Sequence, residues 1–303
     1  MADFSAGAAW MRGQVMPIEQ AHIGVLDWGL THSDVTYDVV PVWRGGFFRL
    51  EDYLDRFMAS MADLRLDPAM TRDEIRAALV QMVARSGLRD AYVAMVCARG
   101  APLIPGTRDP RYCANHFFAW CVPYVNIIPL DRVAAGVSVY VPDDIFRIPE
   151  DCVNPRAKNY HWGDFTQGLF AAKDRGFDTV LLTDHQGNIT EGPGFNAFII
   201  KDGQVITSDH GVLHGLTRRT AIEMCQSQGY SVQTRPLPMA EFLEADEVFL
   251  TTSSGGVLPV VQVNERHFSN GAPGPQALAL RSTYEAWMQR ADFRTELNYA
   301  TAQ

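Results

Sequence analysis

The sequence predicts a mixed α/β protein of two domains: a small N-terminal α/β domain over residues 1–122 and a larger one over 132–303, joined by a linker at 123–131. Three observations carry that expectation. At 303 residues the chain is long enough for two cores that share an interface. Its first part reads as helices followed by strands, and its second as strands alternating with helices. Between them the Pro-containing stretch 123–131 keeps neither period.

The elements follow in order. Leu54, Phe57, Met58, Met61 and Leu64 recur at helical spacing, which predicts an amphipathic helix over 52–65. Thr71 with Glu74 forms a capping box, and Ile75, Leu79, Met82 and Val83 continue the helix it opens. Strands are expected over Ala91–Ala98 and 116–122. The Gly-, Pro- and Arg-containing loop 100–111 between them is long enough to be functional. Beyond the linker, 137–141 and 179–183 read as strands, and Phe195–Lys201 and 205–207 flank the Asp202-Gly203 hairpin turn. A helix is expected from 217 to Gly229, where the glycine suits a C-terminal stop. Glu247–Thr252 is expected to be the last strand, running into Ser253-Ser254-Gly255-Gly256.

Composition narrows the function classes. A net charge of −9 and the lack of a basic run argue against a nucleic-acid surface, which needs clustered Lys and Arg. Residues 1–10 lack the basic-then-apolar pattern of a secretory leader, and the apolar stretches are too short to span a bilayer. Cys97, Cys113, Cys121, Cys152 and Cys225 contain no Cys-x-x-Cys pair, which suits thiols in a reducing cytoplasm. There is no metalloprotease helix motif, nucleophile elbow or Walker loop, and His210 and His214 read as loop residues rather than metal ligands.

Four features point to chemistry. Lys158, in Asn154-Pro155-Arg156-Ala157-Lys158-Asn159-Tyr160, follows a proline-fixed turn and has aromatic neighbours. Burial there disfavours the ammonium form and suits a Schiff-base amine, although an isolated lysine is more often solvated. Glu191, crowded by Gly192-Pro193-Gly194 and an apolar strand, can hold a pyridine nitrogen protonated or can simply cap a turn. Gly215-Leu216-Thr217-Arg218 opens a helix, and Thr251 to Gly256 offers hydroxyls and flexible backbone; both are phosphate cups or polar turns. Arg56, between Leu54 and Phe57, is a cationic clamp or a surface arginine with a packed stem.

The order of these pieces resembles the class IV (fold type IV) pyridoxal-phosphate aminotransferases from about Gly13 to Val263. The blocks that carry the likeness are His32-Ser33-Asp34-Val35-Thr36-Tyr37-Asp38, Phe48-Arg49-Leu50 with Arg56, and Lys158-Asn159-Tyr160-His161-Trp162-Gly163-Asp164. Thr190-Glu191-Gly192-Pro193-Gly194-Phe195-Asn196 and the two cups complete it. The first block, with Val42-Trp43 in place of the aromatic-Glu-Gly pattern of branched-chain enzymes, is most similar to the (R)-selective amine transaminases.

That resemblance implies fold type IV, with a barrel-like C-terminal domain of mixed strands flanked by helices. It implies pyridoxal 5'-phosphate as cofactor, Lys158 as the lysine that binds it and transfers protons, and Glu191 as the partner of its ring nitrogen. Arg56, Leu216, Thr217 and Thr252 would hold the phosphate, and Asn196 would orient Glu191. His32, Tyr37, Val39, Trp162 and Ser253 would face the substrate. Relatives carry a carboxylate-binding arginine near Pro105, so Arg108 is the candidate for that task here. The activity implied is ping-pong transfer from an (R)-amine or D-amino acid to a keto acid such as pyruvate. D-amino-acid or branched-chain transamination, or an aminodeoxychorismate-lyase-like elimination, are the alternatives. A cytoplasmic homodimer with its active site near the subunit interface is implied as well, with no metal, nucleic-acid or membrane partner.

Overall fold

In the computed structural model, which describes residues 3–302, the chain groups into two units. The first contains the residues up to Val125, the short segment Ala157–Tyr160 and the C-terminal stretch from Met288. Its strands are β1 (Ala8–Met11), β2 (Gln14–Pro17), β3 (Val35–Trp43), β4 (Gly46–Phe48), β5 (Ala91–Ala98) and β6 (His116–Pro123). With the C-terminal strand Arg294–Glu296 they form one seven-stranded sheet, ordered Arg294–Glu296, β4, β3, β5, β6, β1, β2. Every neighbouring pair in it is antiparallel. Three helices, α1 (Trp28–Thr31), α2 (Leu50–Asp63) and α3 (Arg72–Ser86), belong to the same unit.

The expected capping box forms: Thr71 accepts from the Glu74 amide and the Glu74 carboxylate accepts from the Thr71 amide. From that start, α3 buries Ile75, Leu79, Met82 and Val83, while α2 buries Leu54, Phe57 and Met61. Each such side chain contributes about 1.5–3 kcal/mol by leaving water. β3 escaped the sequence reading for a physical reason. Eight of its nine residues are buried, so the polar/apolar alternation that marks a half-exposed strand is missing.

On β3, β4 pairs only with Val42 and Trp43, which leaves the N-terminal half of β3 unpaired on that side. The segment Ala157–Tyr160 fills the gap. Asn159 bridges Thr36, the Tyr37 amide donates to the Lys158 carbonyl at 3.3 Å, and the Thr36 hydroxyl donates to that carbonyl at 2.7 Å. The Lys158 amide donates to Ser60 Oγ on α2 at 3.3 Å.

The second unit comprises Asn126–Arg156 and His161–Trp287. Its longer strands are β7 (Val137–Tyr140), β11 (Phe195–Lys201), β12 (Gln204–Thr207), β13 (Ser231–Thr234), β15 (Glu247–Thr252) and β16 (Gly256–Val263). The short ones are β8 (Thr179–Val180), β9 (Asn188–Ile189), β10 (Glu191–Gly192), β14 (Leu237–Pro238) and β17 (Arg266–His267). A nine-stranded sheet runs β13-β12-β11-β15-β16-β7-β8, with β10 added to β11 and β17 to β16; β14 and β9 pair separately. The helices are α4 (Leu130–Ala135), α5 (Gly163–Asp174), α6 (Leu216–Ser227), α7 (Met239–Leu243) and α8 (Pro275–Trp287). Val139, Ile199, Phe242, Leu250, Leu258 and Phe268 lie in its core.

Several boundaries differ from expectation. Glu247–Thr252 is not the last strand: β16 returns antiparallel beside it through a turn at Gly255 and Gly256, whose φ values are +144° and +71°. Pro259 lies inside β16, and an internal proline argues against a strand in a sequence reading. α4 begins within the stretch 123–131. The 179–183 strand closes at Val180, and Thr183 keeps only isolated bridges to Phe146 and Ile189. Among the described residues no helix is long and apolar enough to cross a membrane.

At the start of β15 the buried Glu247 accepts from the Gln276 and Ala277 amides, at 3.1 and 2.9 Å, in the first turn of α8. Replacing Glu247 with Ala removes the acceptor for two helix-start donors and is expected to cost about 1–3 kcal/mol. A urea midpoint equal to that of the unaltered protein would contradict this.

Candidate active site

The first unit carries the lysine. Because Lys158 lies on the added segment beside β3, its backbone is fixed by main-chain and hydroxyl bonds, while its side chain reaches back over the strand. Nζ stands 4.4 Å from the centroid of the Tyr37 ring, and Tyr160 stacks on Tyr37 at 3.9 Å with an interplanar angle of 9°. Tyr37 and Val39 share one face of β3 with Val35 and pack with Ala94, Val96 and Ala98 of β5. The opposite face holds Asp38, which is fully buried and grips Arg56: Arg56 Nη2 donates to Oδ1 at 2.6 Å and Nε to Oδ2 at 2.8 Å. Burial works against the Arg56 charge, but Asp38 more than offsets it, so the guanidinium pKa lies above its ordinary value.

The second unit carries the acid and the two cups. β10, β11 and β15 place Glu191 opposite Asn196, and Asn196 opposite Thr251, so these side chains form a row across one sheet face. Glu191 Oε2 accepts from the Leu213 amide at 2.8 Å, while Asn196 Nδ2 donates to the Leu213 carbonyl at 2.9 Å. One residue's main chain thus ties the two side chains together, which suits the orienting role expected for Asn196. Gly215 is needed here, since a Cβ at that position would sit 2.3 Å from Asn196 Oδ1. α6 then opens at Leu216 with no side-chain cap.

The fold brings the two cups side by side, with Thr217 Oγ1 and Ser253 Oγ 3.5 Å apart. Thr252 Oγ1 accepts from the Ser254 amide and so shapes its own turn. His32 caps α1, packed on Trp28 and bonded through Nδ1 to the Thr31 hydroxyl. Trp162 precedes α5 and packs edge-on against Phe165. Arg108 is exposed on the 100–111 loop.

Arg147 was not anticipated. It is buried, donates to Asp164 Oδ2 at 2.7 Å through Nη1, and reaches Glu191 Oε1 at 3.2 and 3.3 Å through Nη2 and Nε. It has no periodic relation to either carboxylate, and although Asp164 and Glu191 each lie in a block that carries the resemblance, Arg147 lies in none. Asp38 is likewise visible in its block but has no task assigned by sequence.

The donor set fits a pyridoxal phosphate. A primary amine stands on an aromatic face, a buried carboxylate is anchored on two sides, and an uncapped helix start lies beside a hydroxyl-rich turn. Thr251 Oγ1 and Arg218 Nε are buried with no hydrogen-bond partner among the described residues, which leaves polar capacity beside the cups. Burial also holds the Arg218 guanidinium below its ordinary pKa, and it lowers that of His214 in concert with the Arg218 and Arg156 charges.

The amino-transferase class IV family model matches residues 36–263. A provisionally named branched-chain-amino-acid aminotransferase of Methanocaldococcus jannaschii is 26% identical over 279 residues, which covers 91% of this chain and 94% of the relative. A D-alanine aminotransferase of Bacillus licheniformis is 25% identical over 271 residues, 87% and 90% of the two chains. Among solved structures, the T.th. branched-chain amino acid aminotransferase complexed with N-(5'-phosphopyridoxyl)-L-glutamate superposes with a TM-score of 0.88 at 27% identity. That match covers 97% of this chain and 99% of the other. Fold type IV, pyridoxal phosphate as cofactor, and small-molecule amine and keto acid as substrates follow from these matches. The chain belongs to the class IV aminotransferases.

Proposed function

We propose that this aminotransferase takes its amino group from an (R)-amine or a D-amino acid and passes it to a keto acid such as pyruvate, in a ping-pong cycle at Lys158. The observation that carries the reading is the apolar surrounding of that lysine: Nζ lies against Tyr37, and Tyr37 packs in a cluster of Val35, Val39, Ala94, Val96 and Ala98. Such a wall favours an aryl or alkyl substituent over a carboxylate.

Bound pyridoxal phosphate supplies a conjugated, electron-withdrawing ring that accepts the electron pair left when the substrate carbon loses its proton. Lys158 Nζ takes that proton and later returns it. Glu191 holds the proton on the ring nitrogen, a task suited to a buried anion fixed by the Leu213 amide. Arg56, the Leu216 and Thr217 amides, the Thr217 hydroxyl and Thr252 bind the phosphate, and Asn196 keeps Glu191 oriented. His32, Tyr37, Val39, Trp162 and Ser253 face the substrate, and Arg108 receives the keto-acid carboxylate. The working form is a cytoplasmic homodimer with its active site near the subunit interface, in two domains divided at 123–131.

A second reading, an amino acid as the natural donor, is favoured by the names of the branched-chain and D-alanine aminotransferases among the relatives. Half-reaction spectra separate the two. With (R)-1-phenylethylamine the visible cofactor band is expected to be lost, with little change for the (S)-enantiomer. Bleaching by D-alanine or L-leucine alone would move the enzyme to the amino-acid branch.

A further inference from the structure

We infer that Asp164 is a positioning residue that keeps Arg147 from quenching the charge of Glu191; the inference rests on Glu191 as the partner of the cofactor's ring nitrogen. One guanidinium serves two carboxylates here, and all three side chains are more than nine-tenths buried, at 7%, 7% and 8% exposure. The distances show how the cation is divided. Its contact to Asp164 is 2.7 Å, the usual length of a charge-assisted bond, whereas its contacts to Glu191 are 3.2 and 3.3 Å. Arg147 is therefore committed first to Asp164.

Asp164 is itself held where it stands. Its Oδ2 also accepts from the Ile148 amide at 2.9 Å, and its Oδ1 accepts from the Phe165 amide at 2.8 Å, in the first turn of α5 where the helix dipole favours an anion. The Phe165 ring lies 4.4 Å from the guanidinium carbon and covers that face of it. The cluster of two carboxylates and one cation bears a net negative charge, which a proton on the ring nitrogen would neutralise. Without Asp164, Arg147 and Glu191 would form a closed neutral pair, and Glu191 would hold that proton less firmly.

The loop before α6, whose Leu213 amide holds Glu191, carries Asp209, His210 and His214; Arg218 follows in the first turn of α6, and Glu150 and Arg156 interact with that loop. None of them is altered in the variants below, so a change can be assigned to the cluster.

The test is a pH titration of the visible cofactor band in the purified holoenzyme and in Asp164→Asn, Arg147→Met and Glu191→Gln. Asp164→Asn keeps the shape and one acceptor oxygen but removes one negative charge. Its midpoint is expected to fall by about 0.5–1 unit, the size of effect a nearby buried charge produces. Its kcat is expected to drop roughly tenfold with KM within about twofold, because the change acts on proton holding rather than on substrate contact. Arg147→Met removes the cation and is expected to move the midpoint upward. Opposite signs mark an electrostatic role, which a merely structural defect would not produce, and either variant tests the sign if the other fails to fold. An unshifted midpoint in Asp164→Asn, or a shift in the same direction as Arg147→Met, overturns the inference. If Glu191→Gln also leaves the band and its titration unchanged, the assignment of Glu191 itself falls.

Discussion

Replacing Lys158 with Ala is expected to lower transamination by at least about 10³–10⁴-fold, the range that a positioned proton-transfer group supplies. The variant should fold. The contacts that seat residue 158 use its carbonyl and amide, bonded to the Thr36 hydroxyl, the Tyr37 amide and Ser60 Oγ, and alanine keeps all of them. What is lost is the amine beside the Tyr37 ring. The cofactor should still be bound, held by the phosphate cups and Glu191, but no longer covalently, so that gel filtration in denaturant strips it completely. Turnover at the unaltered rate in this variant would remove the central assignment.

A second large effect is expected from Asp38→Ala. Asp38 is fully buried, and its two carboxylate oxygens accept two bonds from a guanidinium that is itself only 13% exposed. Removing the anion takes this counter-charge from a buried cation, which costs about 3–5 kcal/mol when one partner of such a pair is deleted. Urea unfolding reads the loss as a lowered midpoint. Asp38→Ala combined with Arg56→Met removes both charges and should recover part of it, since paired removal leaves neither charge behind. A single-variant cost below about 1 kcal/mol would show that Arg56 does not depend on Asp38.

Much of this was legible in the residues. The capping box at Thr71 announced α3, and strands with simple boundaries, Ala91–Ala98, Phe195–Lys201 and Glu247–Thr252, matched their apolar runs. The helix start at Leu216 and the hydroxyl-rich turn after Thr251 were readable because both are local in sequence. What stayed hidden is whatever depends on chain crossing. β3 is buried on both faces and shows no alternation, and β16 contains a proline. Arg147 meets Asp164 and Glu191 only through loops whose path no periodicity encodes. The role of Asp38 required seeing that it faces away from Tyr37, toward α2.

The lysine's seat has a consequence for anyone who would cut this protein into parts. Ala157–Tyr160 belongs to the first unit, although the residues just before and after it belong to the second. A fragment ending at 125 would therefore have the groove beside β3 and Arg56 but no lysine to place there. A fragment starting at 126 would have the lysine but no strand to hold it. Neither contiguous half keeps the Ala157–Tyr160 segment together with the strand it pairs with, and splitting the gene for complementation calls for a break in an exposed loop within one unit rather than at residue 125.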